Sequence, residues 1–185
     1  MSTPTAAGNW RPGASRHAIE ARARLLAAIR SFMSERGILE VETPILASAG
    51  NSDPNIASIA TDDALKRYLR TSAEYAMKRL LAAGFGNLYE LGRVFRAGER
   101  GPNHNPEFTM LEWYRAGMPY LELAREVLEL IRHCGAGAYD AWSEQWITYR
   151  DLFRQSTGLD PAHCTETDLS HCAAERGIRS GPLEQ

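Results

Sequence analysis

Two β-prone runs, Leu88–Arg96 and Phe108–Arg115, flank a stretch of Gly, Pro, Asn and His that has no helical periodicity. Consecutive runs of this kind predict an antiparallel hairpin with a long loop. Alternate residues of a strand share a face, so Glu90, Val94 and Arg96 fall together on the first run, and Met110, Glu112 and Tyr114 fall together on the second. A charged and polar stripe on a central strand is costly unless it meets a ligand or an opposite charge. The feature that constrains the fold therefore also marks the face where chemistry is expected.

The rest of the chain supplies helices around that hairpin. From Ser15 to Arg36 the apolar residues Leu25, Leu26, Ile29, Phe32 and Met33 recur at helical spacing, and Gly37 provides a stop. The arginines of this helix, Arg16, Arg22, Arg24, Arg30 and Arg36, read as a solvated face. Ile38–Val41 is a short strand that runs into a bend at Pro44, and 47–63 reads as an irregular loop. Tyr68–Thr71 is a strand end that hands over to a helix over Ala73–Ala83, capped by Thr71 or Ser72. Tyr120–His133 is a helix with Leu121, Ala124, Leu128 and Ile131 on one stripe. Beyond it, Trp142, Trp146, Tyr149 and Phe153 suggest packing onto the main body, and Thr165-x-x-Asp168 opens a helix that Gly177 ends. Helices around an adjacent strand pair predict an α+β fold. The expected organisation is a lead-in over 1–14, a core over 15–134 and a helical or irregular tail over 135–185.

Composition removes several function classes. With 21 Lys and Arg against 23 Asp and Glu, the net charge of −2 excludes a generic polyanion-binding tail. No apolar stretch approaches the roughly 20 residues that span a bilayer, and the polar start lacks a signal-peptide core, so a cytoplasmic protein is expected. Three cysteines, Cys134, Cys164 and Cys172, are expected as free thiols. His163-Cys164 and His171-Cys172 do not follow a zinc spacing, so no metal site is expected within the chain. There is no G-x-x-x-x-G-K-[ST], and Gly84-Phe85-Gly86 lacks the third glycine of a dinucleotide turn. Any ATP site must be built another way.

The block FRAGERGPNHNPEFTMLEWY resembles motif 2 of class II aminoacyl-tRNA synthetases of the lysine subgroup. VETPIL resembles their motif 1 around its proline, and TSAEYAMKRLL resembles the amino-acid-binding loop and helix between the two. The resemblance runs from about Ala14 to Tyr120 and implies an antiparallel-sheet catalytic core with flanking helices. It implies that Arg96 is the catalytic arginine that grips the α-phosphate, with guanidinium chemistry suited to bidentate phosphate contact. It assigns ATP to Arg96, Ala97, Gly98, Glu99, His104, Asn105 and Phe108, the last as the stacking partner of adenine. Ser72, Glu74, Glu112 and Tyr114 would bind the amino-acid substrate, with paired carboxylates for the two cations of a diamine.

Only about a dozen residues precede the first helix, where the tRNA-charging enzymes carry an anticodon-binding barrel. The resemblance is therefore to the shortened paralogues that activate lysine or β-lysine with ATP and Mg²⁺ and pass it to a lysine of elongation factor P. A tRNA partner is not expected, the alternatives being a fragment of a lysyl-tRNA synthetase that charges tRNA or a non-catalytic dimerising paralogue. Two departures stand out: Gly98 occupies the position of the motif 2 glutamate, with Glu99 one place later, and Ala73 stands where proline is frequent. Motif 3, with its second arginine and its Mg²⁺-holding acids, is expected to be missing, making the core C-terminally incomplete, either by truncation or in a paralogue that has lost catalysis. The resemblance also implies a homodimer joined through the Ser15–Arg36 helix and the Ile38–Pro44 segment.

Overall fold

In the computed structural model, which describes residues 12–135, 137–139 and 141–178, the hairpin supplies two strands of a three-stranded sheet. Its strands are β1 (Leu39–Glu40), β5 (Leu88–Phe95) and β6 (Glu107–Tyr114), in the order β1-β5-β6. β5 and β6 pair antiparallel from Leu88 opposite Tyr114 to Phe95 opposite Glu107, and β1 runs parallel to β5. A second sheet of two-residue strands, β2 (Leu46–Ala47), β4 (Tyr68–Leu69) and β3 (Ile59–Ala60), is antiparallel. The segment 47–63 is thus not wholly irregular. Strands this short carry no alternation for a sequence pattern to reveal.

Each face of the main sheet has its own cover. Helix α1 (Arg16–Glu35) starts at Ser15, whose Oγ accepts the Ala18 N–H at 3.2 Å, and ends at Gly37, where φ is +64°. That left-handed position suits glycine and closes the helix with Ile38 N–H donating to Met33 O. Ile29, Phe32 and Met33 of α1 pack with Leu130 of helix α3 (Tyr120–Gly135) and with Tyr89, Leu91, Leu111 and Trp113 from one sheet face. On the opposite face, helix α2 (Glu74–Ala82) buries Met77 against Leu88 and Tyr114. The remainder of that second face carries Glu90, Glu112 and Phe108.

Three expectations need correction. Leu121 and Ile131 of α3 are exposed, while Glu126 and Leu130 are buried. Glu126 accepts from Trp113 Nε1 at 3.0 Å and lies 3.3 Å from Arg115 Nε, so the inward face of α3 includes a charge that an apolar stripe overlooks. The N-cap of α2 is Ala73 in a helical conformation and makes no side-chain cap bond, although Ser72 Oγ accepts the Glu74 N–H at 3.0 Å. Trp142, Trp146 and Tyr149 are exposed rather than buried.

The chain divides into two compact units between residues 140 and 141. The second unit holds α4 (Tyr149–Thr157) and α5 (Glu166–Glu175), the latter opened by a reciprocal Thr165–Asp168 capping box. Of the lead-in expected over 1–14, residues 1–11 lie outside the described residues. Among the described residues no helix is long and apolar enough to cross a membrane.

The interaction that ties the two sheets together is buried. Arg70 Nη2 lies 2.5 Å from Glu90 Oε1, with side chains only 6% and 4% exposed. Removing one member of such a pair strands the other charge, which typically costs about 3–5 kcal/mol. We expect Arg70→Met to lower the unfolding free energy in urea by about that amount. Arg16→Ala, which breaks an exposed i,i+4 pair with Glu20, should leave the urea midpoint unchanged. Equal effects would place the stabilising charge elsewhere.

Candidate active site

Cross-strand register sets the central problem of this site, because Glu90 of β5 lies directly opposite Glu112 of β6. Like charges facing each other across a ladder repel, so each needs its own partners. Glu90 turns to Arg70 and also accepts from Thr43, through the backbone N–H at 3.1 Å and Oγ1 at 2.7 Å. Arg70 Nη1 in turn donates to Thr43 O at 3.0 Å and to Thr43 Oγ1 at 2.8 Å, and its Nε donates to Arg93 O at 3.0 Å. Gly92 leaves room for the pair: a Cβ there would sit 2.5 Å from Arg70 Nη2 and 2.8 Å from Glu90 Oε1.

Glu112 is satisfied differently. Ser72 Oγ donates to its Oε2 at 2.6 Å, and Tyr114 OH donates to its Oε1 at 2.6 Å. Burial, followed by the hydrogen bond to Glu112, pushes the Tyr114 phenol well above its ordinary range. Glu74 lies on the first turn of α2 and pairs at 2.5 Å with Lys78 one turn on, both partly exposed. Ser72, Glu112 and Tyr114 are therefore one hydrogen-bonded cluster. Glu74 stands at its edge, near enough to act electrostatically on Tyr114.

Arg96 follows the last residue of β5, and its backbone N–H donates to Pro106 O at 2.9 Å. Its Nε reaches Thr71 O at 3.4 Å, its Nη1 lies 3.5 Å from Glu99, and its guanidinium carbon sits 5.2 Å from the centre of the Phe108 ring. Both polar contacts are at the outer limit of useful geometry, so the guanidinium is only weakly committed within the protein. Its partner is Glu99 rather than Glu90 or Glu112. Gly98 adopts φ +78°, a left-handed conformation that a glutamate at that position would take only with strain.

Ala97 N–H donates to Ala57 O at 2.8 Å, which anchors the loop start to the segment before β3. At the loop tip Gly101 and His104 exchange backbone hydrogen bonds of 3.1 and 3.2 Å, and His104 and Asn105 are exposed. The site residues predicted from sequence thus form two groups on one sheet face: Ser72, Glu112 and Tyr114 with Glu74 beside them, and Arg96 with Glu99 and Phe108. His104 and Asn105 project with the loop and touch neither group.

Thr43, Arg70 and Gly92 were not anticipated. Thr43 sits beside the signalled Pro44 and Arg70 in the strand end before α2, but nothing in the sequence pairs them with Glu90. Asn51 is a further unanticipated residue: its Nδ2 donates to Thr71 Oγ1 at 2.8 Å, and its Oδ1 accepts from Tyr75 OH at 3.2 Å. It pins the loop before β3 onto the same 71–75 segment.

The description "tRNA synthetases class II (D, K and N)" matches residues 8–160. The chain belongs to the class II tRNA synthetase family. Among its curated relatives is the elongation factor P--(R)-beta-lysine ligase of Pasteurella multocida (strain Pm70), 40% identical over 183 residues, covering 95% of this chain and 55% of that one. The protein of the same description from Pseudoalteromonas translucida (strain TAC 125) is 41% identical over 176 residues, covering 91% and 53%. That of Vibrio parahaemolyticus serotype O3:K6 (strain RIMD 2210633) is 39% identical over 180 residues, covering 92% and 54%. The chain spans about half the length of these relatives. Both the α+β synthetase-type fold and the family expected from the three motifs are borne out.

A weakly committed guanidinium over an aromatic ring suits a nucleotide with its α-phosphate and base. Among the described residues no three His, Cys, Asp or Glu side chains gather as a metal site.

The Tyr114 phenol yields a signed pH prediction. Because its folded pKa is raised above the ordinary 10.0, its bond to Glu112 contributes fully below about pH 10 and fades as pH rises toward the folded value. Chemical denaturation between pH 8 and 11 should show a steeper alkaline loss of stability for the native protein than for Tyr114→Phe (pH range chosen to bracket about 10). Identical slopes would mean that Tyr114 titrates normally.

Proposed function

We propose that the whole protein activates a lysine-type amino acid, β-lysine by the description of its relatives, with ATP, and passes it to a lysine side chain of elongation factor P. The observation that carries this reading is the pairing of two complementary subsites on one sheet face, joined through two consecutive residues. Thr71 O receives Arg96 and Ser72 Oγ holds Glu112, so the anion-binding and cation-binding groups hang from the same backbone segment.

In this reading Arg96 is the catalytic arginine that holds the α-phosphate and stabilises the negative charge that grows there as pyrophosphate leaves. Phe108 stacks the base, and Ala97, Gly98, Glu99, His104 and Asn105 form the nucleotide-binding loop around it. Ser72, Glu74, Glu112 and Tyr114 bind the amines. Tyr114, kept protonated, donates to Glu112 and orients it toward an ammonium. Glu74 must exchange Lys78 for the substrate amine, which a partly exposed pair permits. ATP use and elongation factor P as acceptor follow the relatives' description and the family. A cytoplasmic setting follows from the same acceptor.

The assay is amino-acid-dependent ATP–pyrophosphate exchange by the full-length protein. Lysine or β-lysine should drive exchange, and Arg96→Ala should reduce kcat by about 10²–10³-fold, with a much smaller change in amino-acid affinity. No exchange with either amino acid would remove the reading, and equal losses in kcat and affinity would make Arg96 structural.

The same reading includes a homodimer built on α1 and the β1–Pro44 segment. Support comes from an open cleft of about 640 Å³ with Arg22, Leu26, Arg30, Glu40, Ile45 and Thr109 among its walls. Ile19, Leu25 and Leu39 are further exposed apolar residues of the same two segments, and Leu46 is exposed just beyond Pro44. A self-complementary interface buries patches of this kind. Sedimentation at tens of micromolar should find a dimer that Ile45→Asp splits (concentration chosen for a Kd of about 1 μM). A monomeric native protein would refute the dimer, and an intact Ile45→Asp dimer would move its interface elsewhere.

A further inference from the structure

Of the three consecutive residues Arg70, Thr71 and Ser72, the last two each hold a different part of the candidate site. Ser72 Oγ holds Glu112, and Thr71 O receives Arg96. Arg70 touches neither group. Its backbone N–H donates to Ile45 O and its carbonyl accepts from Phe95 N–H, both at 2.9 Å, so it is stitched between the residue after Pro44 and the end of β5. Its side chain is buried, and four oxygen atoms of Thr43, Glu90 and Arg93 surround it: two carbonyl oxygens, one hydroxyl and Glu90 Oε1.

This is far more than charge neutralisation requires. A lysine could balance Glu90, but its single ammonium cannot also reach Thr43 O, Thr43 Oγ1 and Arg93 O from fixed fork positions. Gly92 is shaped to the same end, since any Cβ would press on the Arg70–Glu90 contact. The neighbourhood is thus built around one guanidinium at one orientation. The two groups that depend on the next two residues are the ones that must face a single bound molecule together.

We infer that Arg70 is a positioning residue: by locking Thr43, Glu90 and Arg93 around one guanidinium, it sets the Thr71–Ser72 segment so that Arg96 and Glu112 are placed for the same substrate complex. The inference rests on the functional reading above for what the two groups bind, but the geometric linkage is separate from it. A displacement of about 1 Å at reacting groups can cost on the order of 100-fold. Because both subsites hang from the segment, loosening it should weaken the amino-acid and nucleotide sides together.

The test compares Arg70→Lys and Thr43→Val with Leu130→Ala, a core truncation in the cluster on the other sheet face. Thr43→Val keeps shape and loses only the hydroxyl, so it serves if Arg70→Lys does not fold. In exchange assays on full-length protein held well below each melting temperature, the first two variants should raise KM for both ATP and amino acid at least about tenfold. Leu130→Ala should lower the melting temperature and leave both KM values in place. Unchanged KM values in folded Arg70→Lys and Thr43→Val, or shifts no larger than those of Leu130→Ala, overturn the inference.

If native protein shows no exchange with any lysine-type amino acid, the functional reading falls, and hydrogen exchange decides the positioning claim alone. Faster exchange of the 71–74 amides in Arg70→Lys and Thr43→Val than in Leu130→Ala supports it. Equal rates refute it.

Discussion

The buried contact between Arg70 and Glu90 is the constraint around which this unit is arranged. It joins the small sheet, through β4, to the central strand of the large sheet, and it draws in the Thr43–Pro44 bend. The contact is expensive to form, since both charges leave water. Thr43 and the Arg93 carbonyl supply the additional hydrogen bonds that make such burial tolerable. The arrangement also resolves a conflict within the hairpin: Glu90 pairs with Arg70, while Glu112 directly opposite is hydrogen-bonded by hydroxyls. One face of one sheet thus holds an acid paired with a buried guanidinium and an acid held by hydroxyl donors.

That asymmetry gives the face its chemical character. An acid held by hydroxyl donors is prepared for a cation, and a guanidinium with only long contacts is prepared for an anion. An amino acid condensed with a nucleotide presents both, with ammonium groups at one end and a phosphate and base at the other. Membership of the class II synthetase family accords with this division of the face.

The hairpin and its functional face were legible in the sequence because strand alternation and a Gly/Pro/Asn loop are local signals. Glu90 was recognisable as a charge in need of a partner. The partner was not, because Arg70 lies twenty residues away, just after a strand of only two residues, and no periodicity connects them. The inward face of α3 was misread for a related reason: Glu126 is buried through Trp113 and Arg115, and a search for apolar stripes passes over a buried carboxylate. The exposure of Trp142, Trp146 and Tyr149 shows the converse limit, since large apolar side chains are not always covered. For Glu74 the residue type and position are legible in the sequence, and its engagement with Lys78 follows from the i,i+4 spacing within EYAMK.

The central claim is that Arg96 and the Ser72–Glu112–Tyr114 cluster serve one molecule. It is tested most directly by calorimetric titration with a non-hydrolysable lysyl-adenylate analogue beside titrations with lysine and with ATP. If the two subsites act on one ligand, the analogue should bind at least about 100-fold more tightly than either part, and Glu112→Gln and Arg96→Ala should each reduce that advantage. An analogue that binds no better than ATP alone, with an affinity unchanged by Glu112→Gln, would contradict the account.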